Sequence, residues 1–180
     1  YNPATGEQSG AVDLASVAEV DAAVAAAKSA FPAWRSASLS KRAEVMFRMR
    51  ELVDANRKEI ATVLSAEHGK VLSDAMGEVT RGQEVVEFAC GLPQLLKGEF
   101  SENVSTEVDS YSIRQPLGVV AGITPFNFPA MVPLWMLGPA LATGNTVVLK
   151  PSERAPSCPL RLAELWIEAG GPPGTFNVLN

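Results

Sequence analysis

The chain has 180 residues, 47% of them hydrophobic and 19% charged. That apolar share excludes a disordered tail, because enough surface can be buried to offset the entropy of ordering the chain, and 14 glycines and 13 prolines without a strict period exclude a collagen. The formal net charge of −5 excludes a general attraction for nucleic acid or for an anionic membrane.

Cys90 and Cys158 are too few to staple a scaffold, and sparse thiols suit a reducing compartment. His68 is the one histidine, so no multi-histidine metal site is expected and no metal is assigned. The most apolar stretch, residues 130–149, is broken by Pro133, Gly138, Pro139 and Gly144. It reads as a buried helix followed by a strand rather than a membrane span. The chain opens at Tyr1 without a methionine. A targeting segment can be removed or left out, so the lack of one at this end says nothing.

In chain order, Asn2-Pro3-Ala4-Thr5-Gly6-Glu7 is dense in turn formers, and Ala11–Leu14 is expected as a short strand. Ser16 and Glu19 have the spacing of a capping box. Val17, Val20, Val24 and Ala27 then recur at helical intervals, which predicts an amphipathic helix to Phe31 with Pro32 ending it. A second helix is predicted from Ser38 or Ser40, with Val45, Met46, Met49, Leu52 and Val53 on one face. Asn56 and Glu59 offer the cap of a third, which carries Ile60, Val63 and Leu64 and stops at His68-Gly69-Lys70 on a left-handed glycine. A fourth runs from about Asp74 to Ala89, with an extension toward Leu96 bent near Gly91 and Pro93. Residues 101–115 alternate in polarity around Val108–Ile113, the signal of a strand or hairpin, with no indication of which face is buried.

From Leu117 the pattern becomes an α/β alternation. The apolar run Gly118–Thr124 predicts a strand buried on both faces. A helix over Met131–Ala142, a strand over Thr146–Leu149, a helix over Leu160–Ala169 and a strand beginning at Phe176–Leu179 follow. Such a βαβαβ unit makes right-handed crossovers and a parallel sheet. The fold class is therefore α/β: residues 117–180 form the first part of a Rossmann-like parallel sheet, incomplete at its third strand. A helical region over residues 1–100 and a β-ribbon over 101–116 precede it.

In a parallel sheet of this kind, ligands bind beyond the carboxyl ends of the strands, which singles out two loops. Thr124-Pro125-Phe126-Asn127-Phe128-Pro129 follows the first strand and lacks the G-x-G-x-x-G fingerprint. Its prolines stiffen it around Asn127, whose amide offers two N–H donors. Held at a buried strand edge, those donors suit a developing oxyanion; a turn whose Asn satisfies local backbone is the commoner use of such a loop. Lys150-Pro151-Ser152-Glu153-Arg154 follows the second strand. Lys150 and Glu153 can hydrogen-bond ribose hydroxyls or form a plain surface ion pair. Arg81, on the fourth helix, has Glu78 and Glu84 three residues to either side, which reads as a solvated charge ladder. Arg is also the planar, bidentate donor that a substrate carboxylate calls for. Cys90 reads as a small core residue, His68 as a capping or surface residue, and Trp34, Trp135 and Trp166 as core or interface packing; Cys158 sits between Ser157 and Pro159.

Gly118–Arg154 reads GVVAGITPFNFPAMVPLWMLGPALATGNTVVLKPSER. With its PFNFP and GNTVVLKPSE motifs, it resembles the nucleotide-binding core of the aldehyde dehydrogenase superfamily. EHGKVLSDAMGEVTRGQEVVEFAC (Glu67–Cys90) and DSYSIRQPLGVVAGITPFNFPAMVP (Asp109–Pro133) narrow the resemblance to the CoA-acylating, methylmalonate-semialdehyde branch. Most other branches carry Trp where this chain has Phe126. The resemblance covers the whole chain, while members are far longer, which implies an N-terminal third or so.

The resemblance implies an NAD-dependent enzyme of valine catabolism. It would oxidise a semialdehyde through a cysteine thioester to an acyl-CoA, with coenzyme A as acyl acceptor and loss of CO2. Asn127 would supply the oxyanion amide, opposite the backbone N–H of a nucleophilic cysteine beyond residue 180. Thr124 and Phe126 would contact the nicotinamide cofactor, Lys150 and Glu153 would hold the adenosine ribose, and Arg154 belongs to the same NAD contact set. Arg81 would grip the substrate carboxylate. The 180 residues alone are expected to be inactive. The implied partners are a small semialdehyde and further copies of the chain, as a dimer or tetramer with the 101–116 ribbon as the oligomerisation segment; neither nucleic acid nor membrane is among them. The implied compartment is the cytoplasm of a bacterium, or the mitochondrial matrix of a eukaryote. Phe88 stands where relatives often have His, and Val71 where Thr is common; neither lies in the two loops. Two alternatives stay open: a hydrolytic aldehyde dehydrogenase, which needs a carboxylate base to activate water, and a binding module on the same fold without turnover.

Overall fold

A computed structural model describes residues 1–180. Its order is α1 (Val17–Ser36), α2 (Leu39–Ala55), α3 (Arg57–His68), α4 (Leu72–Cys90), a single turn α5 (Leu92–Leu95), β1 (Phe100–Ser105), β2 (Val108–Tyr111), β3 (Val119–Ile123), α6 (Met131–Ala142), β4 (Thr146–Lys150), α7 (Ser157–Glu168) and β5 (Phe176–Val178). The chain is mixed α/β, with a three-stranded parallel sheet in the order β3-β4-β5 and a separate antiparallel hairpin β1-β2. This is the incomplete Rossmann-like core that the α/β alternation predicts.

Helix ends follow local chemistry. Ser16 caps α1, and the Glu19 carboxylate returns to the Ser16 backbone N–H at 2.8 Å, closing the box that the spacing predicts. Ser38 caps α2, and Gly69, at φ 84°, ends α3 in the left-handed conformation that a glycine takes without a Cβ penalty. Asn56, expected as a side-chain cap, instead donates its Nδ2 back to the Leu52 carbonyl at 2.8 Å, and α3 starts without a side-chain cap.

Pro32 does not end α1, contrary to its expected role; the helix runs four residues further. An internal proline costs about 3 kcal/mol. Past it, Trp34 is buried, stacks edge-on against Trp166 (centroids 5.7 Å apart, planes at 87°) and donates Nε1 to the Leu141 carbonyl at 3.0 Å. Burial of a large side chain at about 2–3 kcal/mol and a hydrogen bond at about 1 kcal/mol offset the proline. Ala11–Leu14 is not a strand: no neighbouring strand receives it, and the one nearby ladder-like bond runs from Ala15 N–H to the Asn180 carbonyl at 2.7 Å.

The sheet sits between helices. Both crossovers step the same way across it, so α6 and α7 share one face. α1 covers the other, where Thr146 donates its hydroxyl to the Ala27 carbonyl at 3.0 Å. Thr146 to Leu149 are all buried, as a strand covered on both faces requires. β3 is not, although its apolar run predicts the same. It lies at one edge of the three strands of this chain, and Ile123 is 76% exposed. The β1-β2 hairpin has no buried residue on either face. No helix is long and apolar enough to cross a membrane.

α4 packs tightly on α6. A Cβ added at Gly82 would lie 2.6 Å from Leu134 Cδ1 and 3.2 Å from the Met131 Cα, so only glycine lets the two backbones approach this closely. That contact fixes where α6 begins, and with it the loop between β3 and α6.

Candidate functional site

β3 and β4 pair in register from Val119 with Thr146 to Ile123 with Lys150, so both strands end at one level. The loops beyond them lie side by side, and Thr124 donates its backbone N–H to the Lys150 carbonyl at 3.1 Å. Thr124 is buried, and its hydroxyl has no hydrogen-bond partner. Phe126 lies between the loops and α3. The His68 ring stacks on it at 6.4 Å and 26°, and the Arg154 guanidinium sits 5.1 Å from its centroid on the cation–π side.

Asn127 is exposed, not at a buried edge as the sequence reading has it. Its backbone carbonyl accepts from Lys70 Nζ at 2.7 Å, while its side-chain amide makes no intramolecular hydrogen bond. The structure therefore sets aside the turn reading, in which the Asn side chain satisfies local backbone. Both N–H donors face outward from a loop held by its main chain. At the end of β4, Lys150 Nζ donates to Glu153 Oε2 at 2.9 Å, with the side chains 44% and 52% exposed. Glu153 is held below the usual carboxylate range, first by its own backbone N–H and then by Lys150.

The charge ladder expected around Arg81 does not form. Glu78 is buried and turns toward Lys70 (2.5 Å) and away from Arg81. Arg81 is exposed and has no ion-pair partner, and its backbone carbonyl accepts from Trp135 Nε1 at 3.3 Å. The guanidinium thus stays free on α4, tied through the main chain to α6 rather than to either loop.

Residues 1–180 match the aldehyde dehydrogenase family along the entire chain. The chain belongs to that family. The malonate-semialdehyde dehydrogenase of Pseudomonas aeruginosa is 54% identical over 180 residues, covering 100% of this chain and 36% of the relative. The human mitochondrial acylating methylmalonate-semialdehyde/malonate-semialdehyde dehydrogenase is 49% identical over 180 residues, 100% of this chain and 34% of its own length. Among solved structures, the methylmalonate-semialdehyde dehydrogenase of Oceanimonas doudoroffii superposes with a TM-score of 0.98 at 57% identity, over 100% of this chain and 37% of that one. A Sinorhizobium meliloti protein assigned the same activity, in complex with NAD, gives 0.98 at 54% identity with the same coverage of 100% and 37%. The chain spans 36% and 34% of the first two relatives.

Within this aldehyde dehydrogenase chain both cysteines are buried and free. Burial pushes both thiols up from their usual range, and Cys158, whose Sγ rests 3.7 Å from the Ile60 carbonyl, is pushed furthest. Both lie in the core, as expected of Cys90. His68 goes beyond its expected capping or surface role. Its pKa is lowered, first by burial and then by Lys70, and its ring packs on Phe126. A cavity of about 800 Å³ lies beside it, lined by Pro3, Leu14, His68, Phe126, Glu153 and Arg154 among others. The N-terminal segment roofs this cavity, and no periodicity in the sequence signals that role.

Proposed function

We propose that this chain is the amino-terminal part of an NAD-dependent, CoA-acylating dehydrogenase of malonate or methylmalonate semialdehyde. The observation that supports it best is Asn127: a free amide, on a loop held by its backbone, beside a Lys–Glu pair at the same level of a parallel sheet.

The residues present fit NAD. An exposed ammonium and carboxylate at a strand end offer a donor and an acceptor to ribose hydroxyls, and the loop between β3 and α6 lies alongside. Lys150 and Glu153 would hold the adenosine ribose, with Arg154, Phe126 and Thr124 along the same groove. NAD, when bound, supplies the acceptor of the hydride. The nucleophile is a cysteine outside these 180 residues, because the two within them are buried. When its thiolate adds to the aldehyde carbon, the carbonyl oxygen gains negative charge, and Asn127 donates a hydrogen bond to it. Loss of hydride from that carbon would turn the adduct into a thioester, whose acyl group would pass to the thiol of coenzyme A and free the cysteine. The carboxylate that Arg81 holds would leave as CO2, with the bonding electron pair taken up by a proton at the α-carbon.

The exposed β1-β2 hairpin is read as the oligomerisation segment. Phe100, Val104, Val108 and Tyr111 are large apolar residues left in water on a two-stranded ribbon, which is marginally stable alone. With bacterial and mitochondrial relatives, the compartment is read as the bacterial cytoplasm or the mitochondrial matrix.

The complete enzyme, given malonate semialdehyde, NAD and coenzyme A, is expected to yield NADH, CO2 and acetyl-CoA in equal amounts, measured by absorbance and mass spectrometry. Free carboxylic acid in place of the CoA ester would turn the assignment to a hydrolytic branch. The 180-residue chain by itself is expected to make no NADH.

A further inference from the structure

Lys70 and Glu78 form an ion pair that the reaction scheme above does not use. Lys70 follows the left-handed glycine that ends α3, and Glu78 lies on the second turn of α4. Their side chains are 11% and 1% exposed, and Nζ donates to Oε2 at 2.5 Å. Burying two charges is a costly way to hold a core together, since an apolar pair of similar size serves stability as well or better. What distinguishes this pair is where its remaining hydrogen bonds go.

All of them go to one short stretch. Lys70 Nζ donates to the Asn127 carbonyl at 2.7 Å and sits 4.2 Å over the Phe128 ring. Glu78 Oε1 accepts the backbone N–H groups of Ala130 at 2.9 Å and Met131 at 3.2 Å. Ala130 is the N-cap of α6 and has no side chain able to cap it. The carboxylate on α4 therefore does the capping, where a helix N-terminus favours negative charge. The cation fixes the peptide plane that leaves Asn127, and the anion fixes the helix start three residues on.

We infer that the Lys70–Glu78 pair positions Asn127, holding the main chain on which its amide donors are carried. This inference rests on the oxyanion reading of Asn127. Donors of that kind act only if held close to their productive geometry before the charge develops. The Asn127 side chain has no bond of its own to hold it, so its aim depends on its backbone. Lys70 and Glu78 are positioning residues; they are not catalytic residues.

A double-mutant cycle in the complete enzyme tests this. Lys70→Met is expected to lower kcat about 10–100-fold when Asn127 is present, and by less than about threefold in an Asn127→Ala background, because a donor that is gone cannot be misplaced. The Kd for NAD is expected to change less than kcat does, since the ribose contacts lie on the other loop and only Thr124 and Phe126 share the loop that Lys70 holds. Equal losses in both backgrounds, or a Lys70→Met enzyme with unchanged kcat, overturn the inference and leave the oxyanion reading standing. An Asn127→Ala enzyme with unchanged kcat removes both. If Lys70→Met shows no cooperative melt, Lys70→Met/Glu78→Gln removes both charges and keeps Oε1 as the acceptor for Ala130 and Met131. The same coupling to Asn127 is expected of it, and full kcat in that variant likewise overturns the inference.

Discussion

Arg154 places its guanidinium 5.1 Å from the centre of the Phe126 ring, joining through side chains two loops that also share the hydrogen bond from Thr124 N–H to the Lys150 carbonyl. The loop proposed to carry the oxyanion donor and the loop proposed to carry the ribose contacts are thus mechanically linked. A cation–π contact at an exposed position contributes about 0.5–1 kcal/mol, enough to bias the loops toward this arrangement without locking it.

Asn127→Ala in the complete enzyme removes one oriented donor. The expected loss is roughly 10²–10³ in kcat, with NAD affinity little changed. Stopped-flow turnover alongside a cofactor titration checks both. A loss confined to NAD binding would show that the amide serves the cofactor.

Lys150→Ala removes the charge-assisted hydrogen bonds proposed to hold the ribose. The Kd for NAD should rise about tenfold or more, about 1.4 kcal/mol. Thermal stability should stay the same, because an ion pair this exposed contributes little to folding. Fluorescence titration with the cofactor measures the first and calorimetry the second; unchanged NAD affinity would leave Lys150 as a surface charge.

Arg81→Leu is expected to separate substrates if Arg81 holds the carboxylate as proposed. Turnover of carboxylated semialdehydes should fall roughly 30–1000-fold in kcat/KM relative to an uncharged aldehyde such as propanal, for a lost charged hydrogen bond of about 2–4 kcal/mol. No ion pair occupies the guanidinium within the chain, so its removal leaves no buried partner unpaired. A ratio of the two effects near one would take Arg81 out of the substrate pocket.

Gly82→Ala forces a methyl group against Leu134 and the Met131 backbone. Overpacking of this kind costs about 1–3 kcal/mol. A lower midpoint in urea, together with a fall in kcat, is expected, because α6 must shift and carries the Asn127 loop with it. An unchanged midpoint would show that the α4–α6 contact is softer than its geometry suggests.

Cys90 and Cys158 should react with a thiol reagent only after unfolding. Burial raises the folded pKa of Cys158 above its unfolded value. Its contribution to stability is therefore fully present below the ordinary thiol pKa and is lost as pH rises through and above it. Rapid labelling of the native chain at pH 8 would contradict both statements.

Local signals were legible wherever the responsible chemistry lies within one turn. The Ser16–Glu19 box, the Ser38 cap and the Gly69 stop were each found where the spacing places them. Pro32 was misread because its cost is local, while the compensation comes from Leu141 and Trp166, more than a hundred residues away in the chain. The exposure of β3 in this chain has no signal in the sequence, because an apolar run says that a strand needs cover and not which neighbours stand beside it. At the site, the two loops follow from strand order and motif. The partners of those loops do not. His68 against Phe126, and Glu78 against Ala130, join residues that no periodicity connects. A glutamate three residues from an arginine looks like a surface ladder until the neighbouring helix is in place.

α6 ends in buried charge at both extremities. Glu78 receives the amides at its first turn, and Arg42 Nη1 donates to the Ala142 carbonyl at 2.9 Å at its last. Sliding the helix along its axis would strand a carboxylate at one end and a guanidinium at the other in the same step. The helix therefore behaves as a strut of fixed length, and the loop ahead of it travels only when α2, α4 and α6 travel as one body. Under the proposed function, room for a bulkier aldehyde is then expected from surfaces that face this block, so engineering for larger substrates should begin there and leave α6 untouched.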